Sequence, residues 1–403
     1  MMHTLYEQKG ATFEVKVLAE PKVQRFINAH AGALDSTFRQ VDMSDTMRQR
    51  LRQSDYVFSG IKTFHELHEA FPSLLDENGN RKPFERFLND VRKIDKTYNA
   101  NYLHAEYNFV QASAEMAAKW ERIAEDGDRY NLQYRTAGDS KVRPEHAALN
   151  GVTLPPSDPF WKTYYPPNGW NCRCTAVQVR RSKYPATSHS EATARGEEAL
   201  KADKKGFFRF NSGMERKTIP DYNPYTIKRC RDCDMAKGKA KLAKFVPENE
   251  LCAACKLVRS IEQKKIDNEV SRSKINTAKK SLVNWYKDKL PTVALGKFTA
   301  KRFEVRASDG THIVIKRSFY DETISKYQDN PMYPLKLEYA KKAHELIKKA
   351  TLINPNEKSM DHPDAFFKVY ETVDDCYRVE MKVKCNRDGN FMHILRVYKN
   401  KKQ

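Results

Sequence analysis

The stretch from Tyr134 to Val179 constrains the fold most, because its composition forbids long regular elements. It holds six of the chain's 18 prolines and three of its 15 glycines. Proline fixes φ and lacks an amide donor, so neither a helix nor a central strand runs through residues spaced this way. The tightest part is PPNGWNCRC, Pro166 to Cys174, where a Pro-Pro and an Asn-Gly turn precede Trp170 and two cysteines one residue apart. Such residues pre-set turns. The block reads as compact loops around a small strand system, closed by a strand at residues 175–179.

Upstream the pattern is helical. Phe84, Phe87, Leu88, Val91 and Ile94 recur at helical spacing after Pro83. A broad apolar face from Tyr98 to Trp120 predicts a further long helix, or two, ending near Gly127, with its aromatic stripe in the core. TFEVKV, residues 12–17, predicts a short strand.

Downstream the texture changes four times. Residues 181–225 are polar with few large apolar side chains and read as a linker. Residues 226–258 carry two C-x-x-C pairs, and 259–289 read as a basic helical connector. From about 290, FEVRA and THIVIK alternate as strands around the Asp309-Gly310 turn. Two helical runs follow, SFYDETISKYQDN and PLKLEYAKKAHELIKKA, and then three strands joined by short turns. The expected fold class is α+β multidomain: a helical domain over 1–180, a small zinc-ribbon-like middle, and an α+β domain with an antiparallel sheet over 290–403.

Charge is uneven along the 403 residues. Residues 1–200 hold 27 Lys/Arg against 26 Asp/Glu, whereas 201–403 hold 45 against 26, which accounts for nearly all of the net +20. An asymmetry of this size points the rear half at a polyanion, DNA or RNA. No apolar run approaches the roughly 18 residues a membrane span needs, and MMHTLYEQKG lacks a basic-then-apolar signal segment. A soluble, cytosolic chain with no membrane partner is expected. In that setting, closely paired cysteines favour metal over disulfides.

Cys230-Arg-Asp-Cys233 and Cys252-Ala-Ala-Cys255 lie 18 residues apart. Two C-x2-C turns at such a gap can surround one tetrahedral zinc, so a structural zinc on Cys230, Cys233, Cys252 and Cys255 is the leading metal expectation. Cys172, Cys174 and the upstream His146 form a weaker set. They read first as packing residues with a hydrogen-bonded histidine. The alternative is a second metal site, completed by Asp139 or a water. A disulfide across one intervening residue would be strained.

With these residues in view, the run YRTAGDSKVRPEHAALNG, DPFWKTYYPPNGWNCRC and the preceding YNANYLHAEYNF resembles the phage head morphogenesis family, the Mu F-like minor head proteins. The resemblance covers roughly residues 50–180. It implies a structural protein of the virion, assembled in the bacterial host cytoplasm with portal and major head proteins. The tail more weakly resembles the barnase–EndoU–colicin–RelE-like nuclease fold. That resemblance implies metal-independent ribonuclease chemistry, which needs a base, an acid and a cation beside the phosphate. His312 and His393 are the candidate acid–base pair, with Lys316 on the same strand face as His312, and Arg396 and His362 as further candidates. The competing expectation is a zinc-dependent nucleic-acid-binding structural protein without catalysis.

Overall fold

The computed structural model describes residues 1–9, 12–228, 230, 248–325, 332–358 and 364–399. The chain divides into two units, Met1–Lys264 and Lys265–Gln403.

The first unit opens with helices α1 (Met2–Tyr6), α2 (Pro21–Asp35), α3 (Asp45–Ala70), α4 (Phe84–Lys96) and α5 (Leu103–Asp126). Their boundaries follow local chemistry. Pro21 begins α2 and Pro83 precedes α4, positions where the missing amide costs nothing. The Ser44 side chain accepts the Met47 amide at the start of α3, and Gly127 at φ +58° ends α5. The expected strand at 12–17 is instead a 3-10 turn over Val15–Ala19. Its neighbours Val17 and Leu18 are both buried, which a strand cannot do against a single core.

The proline-rich block then forms β1 (Asn131–Arg135), α6 (Pro144–Ala147), β2 (Thr153–Leu154), α7 (Phe160–Tyr164) and β3 (Thr175–Val179). The sheet order is β2-β1-β3, antiparallel throughout. Beneath it lie Trp120, Leu132, Tyr134, Phe160, Trp161 and Tyr165.

Residues 181–225 are not a linker. They form α8 (His189–Ala199) and α9 (Ser212–Glu215), and they pack into both cores of the unit. Phe210, Ile219 and Tyr225 join the α2–α5 core, and Ala192, Ala199 and Leu200 the sheet core. Gly213 lies so close to Trp120 that a Cβ there would sit 2.1 Å from the Trp120 Cβ. A few well-placed side chains anchor a segment whose average composition is polar.

The cysteine-rich middle also differs from the expectation. Cys233 lies outside the described residues. Cys252 and Cys255 are not on a turn but on α10 (Glu248–Lys289), one continuous helix. Leu251, Ala254 and Val258 of its first turns are buried in the helical core. Apolar burial anchors these first turns of α10.

Within the same core a buried charge network crosses three helices. Lys62 Nζ donates to Glu106 Oε2 at 2.5 Å and lies 3.1 Å from His30 Nε2. Tyr225 donates to Glu106 Oε1 at 3.0 Å, and Ser59 Oγ lies 2.8 Å from His30 Nδ1.

The second unit is α+β. Its strands are β4 (Thr292–Leu295), β5 (Phe298–Arg306), β6 (His312–Lys316), β7 (Thr351–Lys358), β8 (Phe366–Asp374), β9 (Tyr377–Asn386) and β10 (Gly389–Lys399), with α11 (Arg317–Ser325) and α12 (Tyr333–Lys349) between β6 and β7. They form one sheet in the order β4-β5-β6-β10-β9-β8-β7, antiparallel except for the parallel β6–β10 pair. Alternation along β9 sends Val379, Met381, Val383 and Cys385 to the core, where they meet Leu337, Ala340 and Ile347 of α12.

Candidate metal centre

The loops of the proline-rich block bring three soft donors together. Pro144 starts the single turn of α6, which carries His146. The Cys172 amide bonds the Gly169 carbonyl at 3.1 Å, Asn171 takes φ +57°, and Cys174 directly precedes β3. Arg143 ties the two loops: its guanidinium donates to the Trp170 carbonyl and lies against Gly169, where a Cβ would meet it at 2.6 Å. Tyr134 supports the floor, donating to Asn168 Oδ1 at 2.8 Å.

His146 Nδ1 stands 3.7 Å from Cys172 Sγ and 3.9 Å from Cys174 Sγ. All three donor atoms lie within 4.8 Å of one another, and all three residues are buried. A tetrahedral zinc with Zn–N about 2.1 Å and Zn–S about 2.3 Å would separate nitrogen from sulfur by about 3.6 Å. The two nitrogen–sulfur spacings are therefore already close to those of a zinc site. Among the described residues this is the one set of three His, Cys, Asp or Glu donors so drawn together. The two thiols share one hydrogen bond and are shifted in opposite directions by it. Hydrogen bonding from Cys174 pulls the Cys172 thiol pKa down against the effect of burial, and His146 adds to the pull. The same bond, with burial, pushes Cys174 up.

Asp139 does not complete the set. It forms a two-pronged pair with Arg173, both contacts at 2.6 Å, and that guanidinium holds its carboxyl down to about 2. The three donors instead border a cavity of about 690 Å³, walled by α5 residues that include His104, Glu115 and Lys119. The sequence did not single out these wall residues. They come from α5, whose exposed face carries no signature at the level of spacing.

Cys230, Cys252 and Cys255 line a different cavity of about 530 Å³ in the first unit. Arg259 Nε donates to Cys255 Sγ at 3.3 Å.

In the second unit, the ribonuclease candidates fall on adjacent strands, since β6 and β10 pair at Val314 and Phe391. Each also has a close neighbour of its own. His312 Nε2 lies 3.6 Å from Glu304, and Lys316 Nζ sits 3.8 Å above the Phe391 ring. His393 Nδ1 lies 3.6 Å from Glu322 with its ring stacked on Phe367, and Arg396 pairs with Glu380 at 3.3 Å. His362 lies outside the described residues.

The segment that holds the His–Cys–Cys cluster is also the segment with known relatives. Residues 77–177 match the family described as "Phage Mu protein F like protein". The "Putative capsid assembly protein F" of Escherichia phage Mu is 36% identical over 175 residues, covering 40% of this chain and 37% of that protein. The "Mu-like prophage FluMu F protein" of Haemophilus influenzae is 33% identical over 133 residues, 31% of this chain and 28% of that protein. The chain thus spans 37% and 28% of the lengths of these two relatives. No solved structure matches the chain. No helix among the described residues is long and apolar enough to cross a membrane.

Proposed function

We propose that this chain is a minor head protein that works in phage head assembly and becomes part of the virion. In this reading its first unit engages portal and major head proteins, and its second unit contacts packaged DNA or RNA. The family match over 77–177 carries the assembly role. A structural zinc on His146, Cys172 and Cys174 pins the loops of that segment, and the nitrogen–sulfur spacings of 3.7 and 3.9 Å support it. The thiols of Cys230, Cys233, Cys252 and Cys255 are the rival zinc set, and the helical setting of Cys252 and Cys255 weighs against them. Charge supports nucleic-acid contact by the second unit: residues 265–403 hold 29 Lys/Arg against 18 Asp/Glu, a balance of +11.

Deleting the gene from its phage or prophage tests the assembly role. Loss of filled heads, restored by the intact chain but not by residues 265–403 alone, is the expected result. Normal heads without the chain would overturn it. Incubating the full chain with tRNA separates the two readings of the second unit. Cleavage that disappears in His312→Ala and His393→Ala supports the ribonuclease reading, and salt-sensitive binding without cleavage supports the binding reading.

A further inference from the structure

The three donors of the candidate zinc centre leave a tetrahedral ion one ligand short. Structural zinc sites are usually closed by four protein ligands, whereas three protein ligands and an open position characterise sites that exchange ligands. Here His146, Cys172 and Cys174 supply three donors, and no fourth His, Cys, Asp or Glu among the described residues joins them. Asp139 is held by Arg173.

The surroundings decide where the open position faces. On one side the centre is closed: Tyr134 is buried and tied to Asn168, which in turn donates to the Tyr165 carbonyl at 3.3 Å. On the other side all three donor residues border the cavity of about 690 Å³. That volume admits a side chain or a small acid as well as water.

Charge decides what fits. A zinc ion with two thiolates and a neutral imidazole is formally uncharged, so an anionic fourth ligand leaves one negative charge on the centre. The cavity wall carries Lys119, Lys141, Arg143 and Arg173 against Glu115, with His104 beside them. Arg173 is already neutralised by Asp139. Lys119 donates to the Thr175 hydroxyl at 2.6 Å and Arg143 to the Trp170 carbonyl, both neutral acceptors. The remaining wall charge is therefore positive. It favours an anionic oxygen donor over a neutral imidazole.

We infer that the zinc held by His146, Cys172 and Cys174 keeps its fourth position open to this cavity and binds a carboxylate there, displacing a water. The carboxylate comes from a free small acid or from an acidic side chain or C-terminus of a partner polypeptide. The inference rests on the zinc reading above and adds that the centre is a ligand-exchange site as well as a staple.

Cobalt tests both parts separately. The full chain is loaded with Co²⁺ in place of zinc, and its visible spectrum is followed as acetate, a short peptide with one glutamate, or imidazole is added. Absence of a tetrahedral cobalt–thiolate spectrum defeats the zinc reading itself. Given that spectrum, a saturable change in the cobalt bands with acetate or the peptide supports the inference. Tighter binding of the peptide points to a partner polypeptide, and equal or tighter binding of acetate points to a free acid. In Lys119→Gln/Lys141→Gln, acetate affinity falls roughly fivefold while cobalt content is unchanged, as removal of two nearby cations requires. A spectrum unmoved by any of the three ligands overturns the open position. A spectrum moved by imidazole alone overturns the carboxylate assignment.

Discussion

The packing of α10 against α3 makes a sharp prediction. Gly60 on α3 faces Val258 on α10, and a Cβ at Gly60 would lie 2.6 and 2.8 Å from the two Val258 methyl carbons. Carbon contacts sit at about 3.5–4.0 Å, so Gly60→Ala overlaps both methyls by about 1 Å. Overpacking of this kind costs about 1–3 kcal/mol. The better helix propensity of alanine returns up to about 1 kcal/mol. Gly60→Ala alone is therefore expected to destabilise the first unit by about 1–2 kcal/mol. Val258→Ala alone loses two buried methyls, worth about 1.6 kcal/mol by transfer, and leaves a small cavity. In the double variant the nearest Val258 atom left is its Cβ, at 3.3 Å. The clash is then largely gone, and Gly60→Ala becomes neutral or mildly stabilising in that background. The two changes should couple by about 2 kcal/mol. Urea unfolding followed by tryptophan fluorescence reads this well, because Trp120, Trp161 and Trp170 lie in the first unit and only Trp285 in the second. If Gly60→Ala is tolerated in the native background, or costs the same with and without Val258, the first turns of α10 are not packed in this core.

Three further outcomes are expected. Burial pushes the Glu66 carboxyl up to about 8. Its contribution to stability is thus complete below its unfolded value, near 4.5, and is lost as pH rises towards 8. Native stability should drop by about 3–4 kcal/mol between pH 5 and pH 8 from this group, and Glu66→Gln should flatten that slope in denaturation series at the two pH values. Lys62→Met removes the cation beside buried Glu106 and should cost about 3–5 kcal/mol; Lys62→Met/Glu106→Gln should recover much of it, and equal losses in both would refute the pairing. Nucleic-acid binding by the full chain should weaken steeply between 50 and 200 mM salt, by about tenfold or more if several phosphates are contacted; a flat response would mean a merely solvated basic surface.

The sequence disclosed those elements whose signal is local. Phe87 and Val91 of α4 recur at one helical period and are buried as that period requires. The prolines and glycines of 134–179 mark loops, and Thr175–Val179 closes the small sheet. Non-local features were not legible. Phe210, Ile219 and Tyr225 are isolated in a polar stretch, and only their distant partners make it part of the core. The parallel pairing of β6 with β10 joins strands nearly 80 residues apart in sequence, Val314 with Phe391, and no spacing rule specifies it. At the candidate metal centre the residue types are visible in the sequence but their arrangement in space is not. The two C-x-x-C pairs are plain in the sequence, but that Cys252 and Cys255 lie on a helix is not, nor that His146 comes within 4 Å of both Cys172 and Cys174, because both depend on contacts distant in sequence.

Zinc content of purified chain, measured beside two double variants, goes to the heart of this account. The native chain should carry about one zinc, Cys172→Ser/Cys174→Ser should carry none, and Cys252→Ser/Cys255→Ser should keep it. A folded, zinc-free native chain would contradict the account, as would zinc that survives loss of Cys172 and Cys174 but leaves with Cys252 and Cys255.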